Sequence, residues 1–254
     1  MTYKICQTVF STNRANYLKR SLPSQKLLDT TGCEITKIFF DDYPKGRNDR
    51  YIEILAKSYN YNNVVLHTEN LGITKTWQEL FDYIKQNNFD YIWHQEDDAE
   101  IVEPVKLLDL INILEEHSEF SQIQLKRNNW YEKETEPVGP KSSDLICKNY
   151  RIEIDNPYFW MMASLYPAWI AREYNDHALL GLPSEASIAN WLLKRNGSKA
   201  ALLKTLDGGI MVNHFGEYTR GRRLVPGDLG YHLFENFDPD LDYDSKNGQV
   251  YLIK

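Results

Sequence analysis

Cysteine is scarce and scattered. The three residues Cys6, Cys33 and Cys147 form no CxxC pair and leave an odd count, which fits a reducing cytoplasm better than a disulfide scaffold. Long apolar runs are missing too. The longest, Tyr158 to Ala171, is 14 residues broken by Pro167, too short to cross a bilayer, so no transmembrane segment is expected. The opening MTYKICQ lacks a signal core, so the expected location is cytoplasmic, and the sequon Asn196-Gly197-Ser198 carries little weight. Basic residues are outnumbered, 29 against 36 acids for a net charge of −7, which argues against a nucleic-acid partner. Neither repeats nor low-complexity linkers occur.

What is present is a folded globular composition, 42% hydrophobic and 13% aromatic over 254 residues. That length suits one large α/β domain or two small ones. The stretch that organises the rest is Phe89–Glu100, FDYIWHQEDDAE. Its apolar first half fits a buried strand, and it ends on Glu96, Asp97 and Asp98. Adjacent carboxylates repel one another unless a cation lies between them. The carboxyl ends of strands in open α/β sheets are where ligands bind. A hard divalent metal there and an ordinary solvated acidic loop are about equally good readings.

In chain order, Tyr3–Phe10 reads as a first strand and Ala15–Leu28 as a helix interrupted or ended near Pro23. Glu34–Phe40 is a second strand, closed by Asp41-Asp42. Arg50–Tyr59 has helical spacing, and Asn63–His67 is a third strand. A helix burying Trp77, Leu80, Phe81 and Ile84 is expected to begin at Thr76, with Glu79 completing a capping box. After the acid-tipped strand, Pro104 is expected to open a helix whose face is Val105, Leu108, Ile111 and Leu114. Ser121–Lys126 is a fifth strand. Asn128–Asn149 reads as a loop region over the surface, and Tyr158–Tyr166 as a buried strand or pocket wall. Ser184 can cap a helix through Ile188, Trp191 and Leu192. Gly209–Asn213 is a late strand with His214 at its end. This alternation predicts a mostly parallel central sheet with crossover helices.

Several other groups can carry chemistry. Asp41 and Asp42 at a strand end can accept hydrogen bonds from a ribose or a base, or can simply start a turn. His214 can join carboxylates on a metal such as Mn²⁺, although a lone histidine is more often a structural hydrogen-bond partner. Arg220, Arg222 and Arg223, beside two glycines, suit diphosphate oxygens on a closing loop, or form a solvated loop. Glu185 lies one residue past a helix cap, where the dipole favours its ionised form. Two motifs fail. The acids from Asp238 to Asp244 space like a calcium loop, but Tyr243 stands where glycine is required and no glutamate ends it. Leu71-Gly72 lacks the further glycines of a dinucleotide loop.

The order of blocks resembles the GT-A glycosyltransferases, particularly family 2-like enzymes. Ser11-Thr12-Asn13-Arg14 with Tyr17-Leu18 is similar to their T-Y-N-R turn, and FFDDYP to their nucleoside-binding strand end. Asn70-Leu71-Gly72 is similar to N-x-G, and Glu96-Asp97-Asp98 to their DxD motif. Pro183-Ser184-Glu185 stands where their E-D motif carries the catalytic base. Val212-Asn213-His214-Phe215-Gly216 resembles a late V-x-H-x-G strand end. The likeness spans roughly residues 3 to 223. Two departures are Trp77-Gln78, where Arg-Asn is common, and Ala186 in place of the aspartate of E-D.

The resemblance implies a single GT-A domain with a nucleotide-binding half (1–127), an acceptor and catalytic half (128–223) and a C-terminal tail (224–254). It implies Mn²⁺ or Mg²⁺ on Asp98 and His214. Thr8, Ser11, Arg14, Asp41, Asp42, Glu96, Asp97, Arg220 and Arg222 would face a UDP- or GDP-sugar donor. Glu185 would take the proton of a glycan or other acceptor hydroxyl, with inversion at the anomeric carbon. Trp130, Tyr158 and Trp160 could stack on sugars. Three alternatives have their own discriminators. A catalytically inactive carbohydrate- or nucleotide-binding relative would bind without turnover. A nucleotidyltransferase would want a glycine- and lysine-rich loop after the first strand, and a metal-dependent nuclease a wider basic surface.

Overall fold

The first strand, β1 (Tyr3–Ser11), is buried along nearly its whole length, as a strand covered on both faces must be. The computed structural model describes residues 2–12, 14–42, 49–69, 71–128, 144–156, 159, 162–174, 185–196 and 199–215. After β1 come α1 (Ala15–Ser24), β2 (Leu28–Asp29), β3 (Cys33–Asp41), α2 (Asp49–Ser58), β4 (Asn63–Leu66), α3 (Ile73–Gln86) and β5 (Tyr91–Glu96). Next are β6 (Ala99–Ile101), β7 (Val105–Lys106), α4 (Leu107–Glu116), β8 (Phe120–Leu125), β9 (Asp144–Cys147) and β10 (Tyr150–Asn156). The described chain closes with β11 (Ser164–Pro167), α5 (Trp169–Glu173), α6 (Glu185–Asn196), β12 (Lys199–Lys204) and β13 (Val212–His214).

Among these residues nine strands form one sheet in the order β4-β3-β1-β5-β11-β8-β12-β10-β9. β4, β3, β1 and β5 are parallel neighbours, as the alternation of strand and helix predicts. β12 joins β8 in parallel, while β11 runs against both β5 and β8, and β10 against both β12 and β9, so seven of the nine strands point the same way. A second small sheet pairs β13 with β6, and a third pairs β2 with β7. No helix among the described residues is long and apolar enough to cross a membrane.

The core lies in apolar groups against the sheet. One joins α4 to β5, β8 and β12 through Trp93, Ile111, Ile123 and Leu203. Another joins α3, α5 and α6 to Phe10, Phe40 and Ile92. Trp77 is fully buried in it, stacked on Tyr166 at 6.0 Å and edge-on to Phe10 at 5.6 Å. This explains the departure from Arg-Asn, because the position belongs to the core. The third group joins α1 and α2 to Val9 and Phe39.

Several expectations need correcting. α3 starts at Ile73, not Thr76. Its N-cap is Gly72, at φ 79°, a left-handed conformation that glycine adopts without strain. Thr76 donates from its hydroxyl to the Gly72 carbonyl at 3.3 Å, so it makes no capping box. α4 starts at Leu107, not Pro104, since Val105 pairs with Leu28 in β7. Its buried stripe is Leu107, Leu110, Ile111 and Leu114, a more regular i, i+3, i+4, i+7 pattern than the expected one. β9 lies inside the stretch read as loop, β10 and β12 were not expected as strands, and the late strand begins at Val212, not Gly209. In α1, Pro23 sits one residue before the end, where few hydrogen bonds remain to break.

Candidate functional site

Three parallel strands end side by side on polar residues. Ser11 of β1 is in register with Asp41 of β3, and Phe10 with Glu96 of β5. The ladder continues beyond the strands, with the Asp42 amide donating to the Ser11 carbonyl at 2.8 Å and the Asp97 amide to that of Phe10 at 3.0 Å. The acid pairs separated by 55 positions in sequence thus share one carboxyl edge, which is where an open α/β sheet binds ligands.

Arg14, the N-cap residue of α1, reaches into this edge. Its Nε donates to Asp97 Oδ2 at 2.9 Å, its Nη2 to Asp97 Oδ1, and its Nη1 to Asp98 Oδ2 at 3.2 Å. A planar guanidinium fork suits two neighbouring carboxylates better than an ammonium would. The guanidinium also lies 4.8 Å from the centre of the Tyr17 ring. Burial, together with the neighbouring Asp98, pushes the Asp97 carboxyl up to about 7, against the pull of Arg14.

His214 arrives from the far end of the described chain. β13 runs antiparallel to β6, which directly follows the acids, and the register sets His214 opposite Ala99. The Phe215 amide donates to the Asp98 carbonyl at 3.1 Å, and the His214 amide to Asn128 Oδ1 at 2.6 Å. His214 Nε2 then lies 3.1 Å from Asp98 Oδ1 and 3.9 Å from Glu96 Oε2. Burial opposes charge on both His214 and Asp98, but their mutual attraction outweighs it. It raises the imidazole above its ordinary value and, with Arg14 helping, lowers the Asp98 carboxyl below its own. Donor atoms of Glu96, Asp98 and His214 all lie within 4.8 Å of one another. Two carboxylates and one imidazole are a donor set that fits a divalent ion of the manganese type.

The second acid pair splits in role. Asp41 is fully buried. Asp42 accepts from the amides of Leu71 at 2.7 Å and Gly72 at 2.6 Å, and so shapes the turn into α3. His67 bridges Asp42 Oδ1 (3.0 Å) and Glu79 Oε2 (2.8 Å). Burial works against the charged imidazole, yet these two carboxylates raise its pKa. Neither His67 nor Glu79 was expected at this edge. The available signal was the place of His67 at the end of a parallel strand. Phe215 was missed as an anchor too. Its ring is 5.0 Å from that of Tyr17 and 3.9 Å from the Arg20 guanidinium.

Of the remaining candidates, Thr8 is fully buried within β1, three residues short of its end. Ser11 is buried beside Asp97. Glu185 is the exposed first residue of α6, a helix held to α5 by Tyr174 Oη donating to Ser187 Oγ at 2.6 Å. Arg220, Arg222 and Arg223 lie outside the described residues, as do Asn13, Asn70, Trp130, Tyr158, Trp160, Ser184 and Gly216.

No protein-family model and no curated protein matches the chain. Solved structures do. S. aureus TarS 1–349 in complex with UDP matches at TM-score 0.53 and 16% identity, covering 83% of this chain and 60% of that one. The same protein with UDP-GlcNAc matches at 0.51 and 17%, covering 83% and 58%. The mannosyltransferase PcManGT from Pyrobaculum calidifontis, in complex with GDP-Man and Mn²⁺, matches at 0.52 and 12%, covering 80% and 57%. The chain therefore spans about three fifths of the length of these structures. A mostly parallel sheet in this strand order, superposing on these structures over at least four fifths of the chain, has the GT-A glycosyltransferase fold.

Proposed function

We propose that this chain is a metal-dependent glycosyltransferase that moves a sugar from a UDP- or GDP-sugar to an acceptor hydroxyl with inversion. The observation that carries the reading is the meeting of Glu96, Asp98 and His214 at the carboxyl edge, with Arg14 neutralising Asp97 beside them. Similar structures hold UDP, UDP-GlcNAc or GDP-Man, one of them with Mn²⁺. Asp98 and His214, with Glu96 beside them, would hold Mn²⁺ or Mg²⁺. Such an ion, when bound, offsets the negative charge that grows on a leaving diphosphate.

The chain's own residues do the rest. Arg14 bridges Asp97 and Asp98, so that their oxygens are placed before a ligand arrives. Asp42 fixes the backbone at Leu71 and Gly72, and with Asp41 it would read the nucleoside. Glu185 would accept the acceptor's proton as its oxygen attacks the anomeric carbon from the face opposite the nucleotide. Arg220 and Arg222 would add cations to the diphosphate.

The test is a thermal-shift panel of UDP, GDP and dTDP with and without Mn²⁺, followed by turnover of the matching nucleotide sugars. A ligand that binds only the folded state raises the midpoint. Stabilisation by one nucleotide that requires Mn²⁺, with sugar release or transfer, is expected. Binding without turnover would leave an inactive carbohydrate- or nucleotide-binding relative, and no response to any nucleotide would reject both readings.

A further inference from the structure

Away from the acidic edge, a second set of donors comes together from two elements far apart in sequence. Glu116 ends α4, His117 is its C-cap, and Cys147 ends β9. One ligand atom from each lies within 4.8 Å of the others. We propose that Glu116, His117 and Cys147 form a zinc-class transition-metal site that ties the β9–β10 hairpin to the end of α4.

The donor chemistry is the first support. Thiolate, imidazole and carboxylate together are a borderline-soft set of the kind that selects Zn²⁺ over Mg²⁺ or Ca²⁺. It also differs from the oxygen-rich set at Asp98. The electrostatics are the second. The last carbonyls of a helix carry partial negative charge and attract cations, and the last turn of α4 contains no basic residue. Glu115 and Glu119 add acids on either side, and Asp109 also acts on Cys147, with Lys148 as the opposing cation.

The third support is that the ligands are already held. His117 Nδ1 lies 3.3 Å from Glu119 Oε1, and carboxylates that orient a ligating imidazole in this way are a regular outer partner in metal sites. The ring packs on Phe120 at 5.5 Å. Cys147 packs against the apolar group built on α4. The turn behind it, at Lys148, adopts a left-handed φ of 55°, which sets the tight return into β10. β9 is the edge strand of the sheet, paired on one side only, with β10. Binding would replace the Cys147 S–H bond by an S–Zn bond and release the proton to solvent, without redox change. Three protein ligands leave a fourth position for water.

Cobalt is the spectroscopic probe. The full chain, stripped with chelator, is titrated with Co²⁺ and followed by thiolate-to-cobalt charge-transfer absorption. Wild type is expected to develop this band at one equivalent and to lose it when Zn²⁺ is added, because a d10 ion gives up no ligand-field energy in a tetrahedral thiolate site. Cys147→Ser should abolish the band. His117→Gln should weaken affinity by more than the roughly 10–100-fold that loss of an outer partner costs. Cys33→Ser should leave it intact, as should Asp98→Asn, which separates this site from the carboxyl edge. No band in wild type, a band that survives in Cys147→Ser, or an unchanged affinity in His117→Gln would each overturn the proposal.

Discussion

Removing Arg14 should unfold the acidic edge from within. Arg14 is 8% exposed, and Asp97 and Asp98, which it binds, are 0% and 5% exposed, so none of the three can turn to water for compensation. In Arg14→Gln the amide keeps part of the stem but no charge. Asp97 would then be left buried beside Asp98 with no cation between them and Arg14's three donor contacts gone. Breaking a buried ion pair by deleting one partner costs about 3–5 kcal/mol. For a chain of this size each kcal/mol lowers the midpoint by about 2–4 °C, so the fall should be about 6–20 °C. Arg20→Gln is the control. Arg20 pairs with Glu100 at 2.8 Å, with side chains 47% and 30% exposed, and stacks on Phe215. Solvent screening limits the ion pair to about 0–1 kcal/mol and the ring contact to about 0.5–1 kcal/mol. Differential scanning of both variants near neutral pH decides the matter, and the double variant Arg14→Gln/Asp97→Asn should recover part of the loss. Were Arg14→Gln no worse than Arg20→Gln, the argument that Arg14 compensates the acids would fail.

Asp98→Asn should keep the fold and lose Mn²⁺-dependent nucleotide binding, measured by titration calorimetry. Wild-type affinity in that variant would reduce the acid cluster to a loop. His67, whose pKa is raised by Asp42 and Glu79, contributes stability that is full below its unfolded value of about 6.5 and is lost as pH rises through the higher folded value. Wild type should therefore lose its advantage over His67→Gln across that window, and a pH-independent gap in unfolding free energy would count against a charged His67. Glu185→Gln should keep donor affinity and lower kcat about 10²–10⁴-fold in single-turnover transfer. Full activity would remove Glu185 from the mechanism.

The local pattern by itself indicated the first four long strands of the sheet. YKICQTVF, EITKIFF, NVVL and YIWHQE are runs whose apolar residues demand burial, and the amphipathic segments between them leave parallel crossovers as the economical arrangement. The three acids after Trp93 were legible because adjacent carboxylates repel one another unless a cation lies between them, and in the fold Arg14 reaches two of them. Pairing between distant strands carries no such local mark. Only the tertiary structure decided that β11 inserts antiparallel between β5 and β8, and that KAALLK is a strand beside β8. It also decided that β13 pairs with β6 and delivers His214 to Asp98 across more than a hundred residues. The division of labour at the edge was hidden as well. Sequence offered Asp42 as a ligand contact but gave no sign that its oxygens also bond Leu71, Gly72 and His67. Which partner satisfies a buried carboxylate depends on what the fold brings within 3 Å of it, and spacing along the chain does not encode that distance.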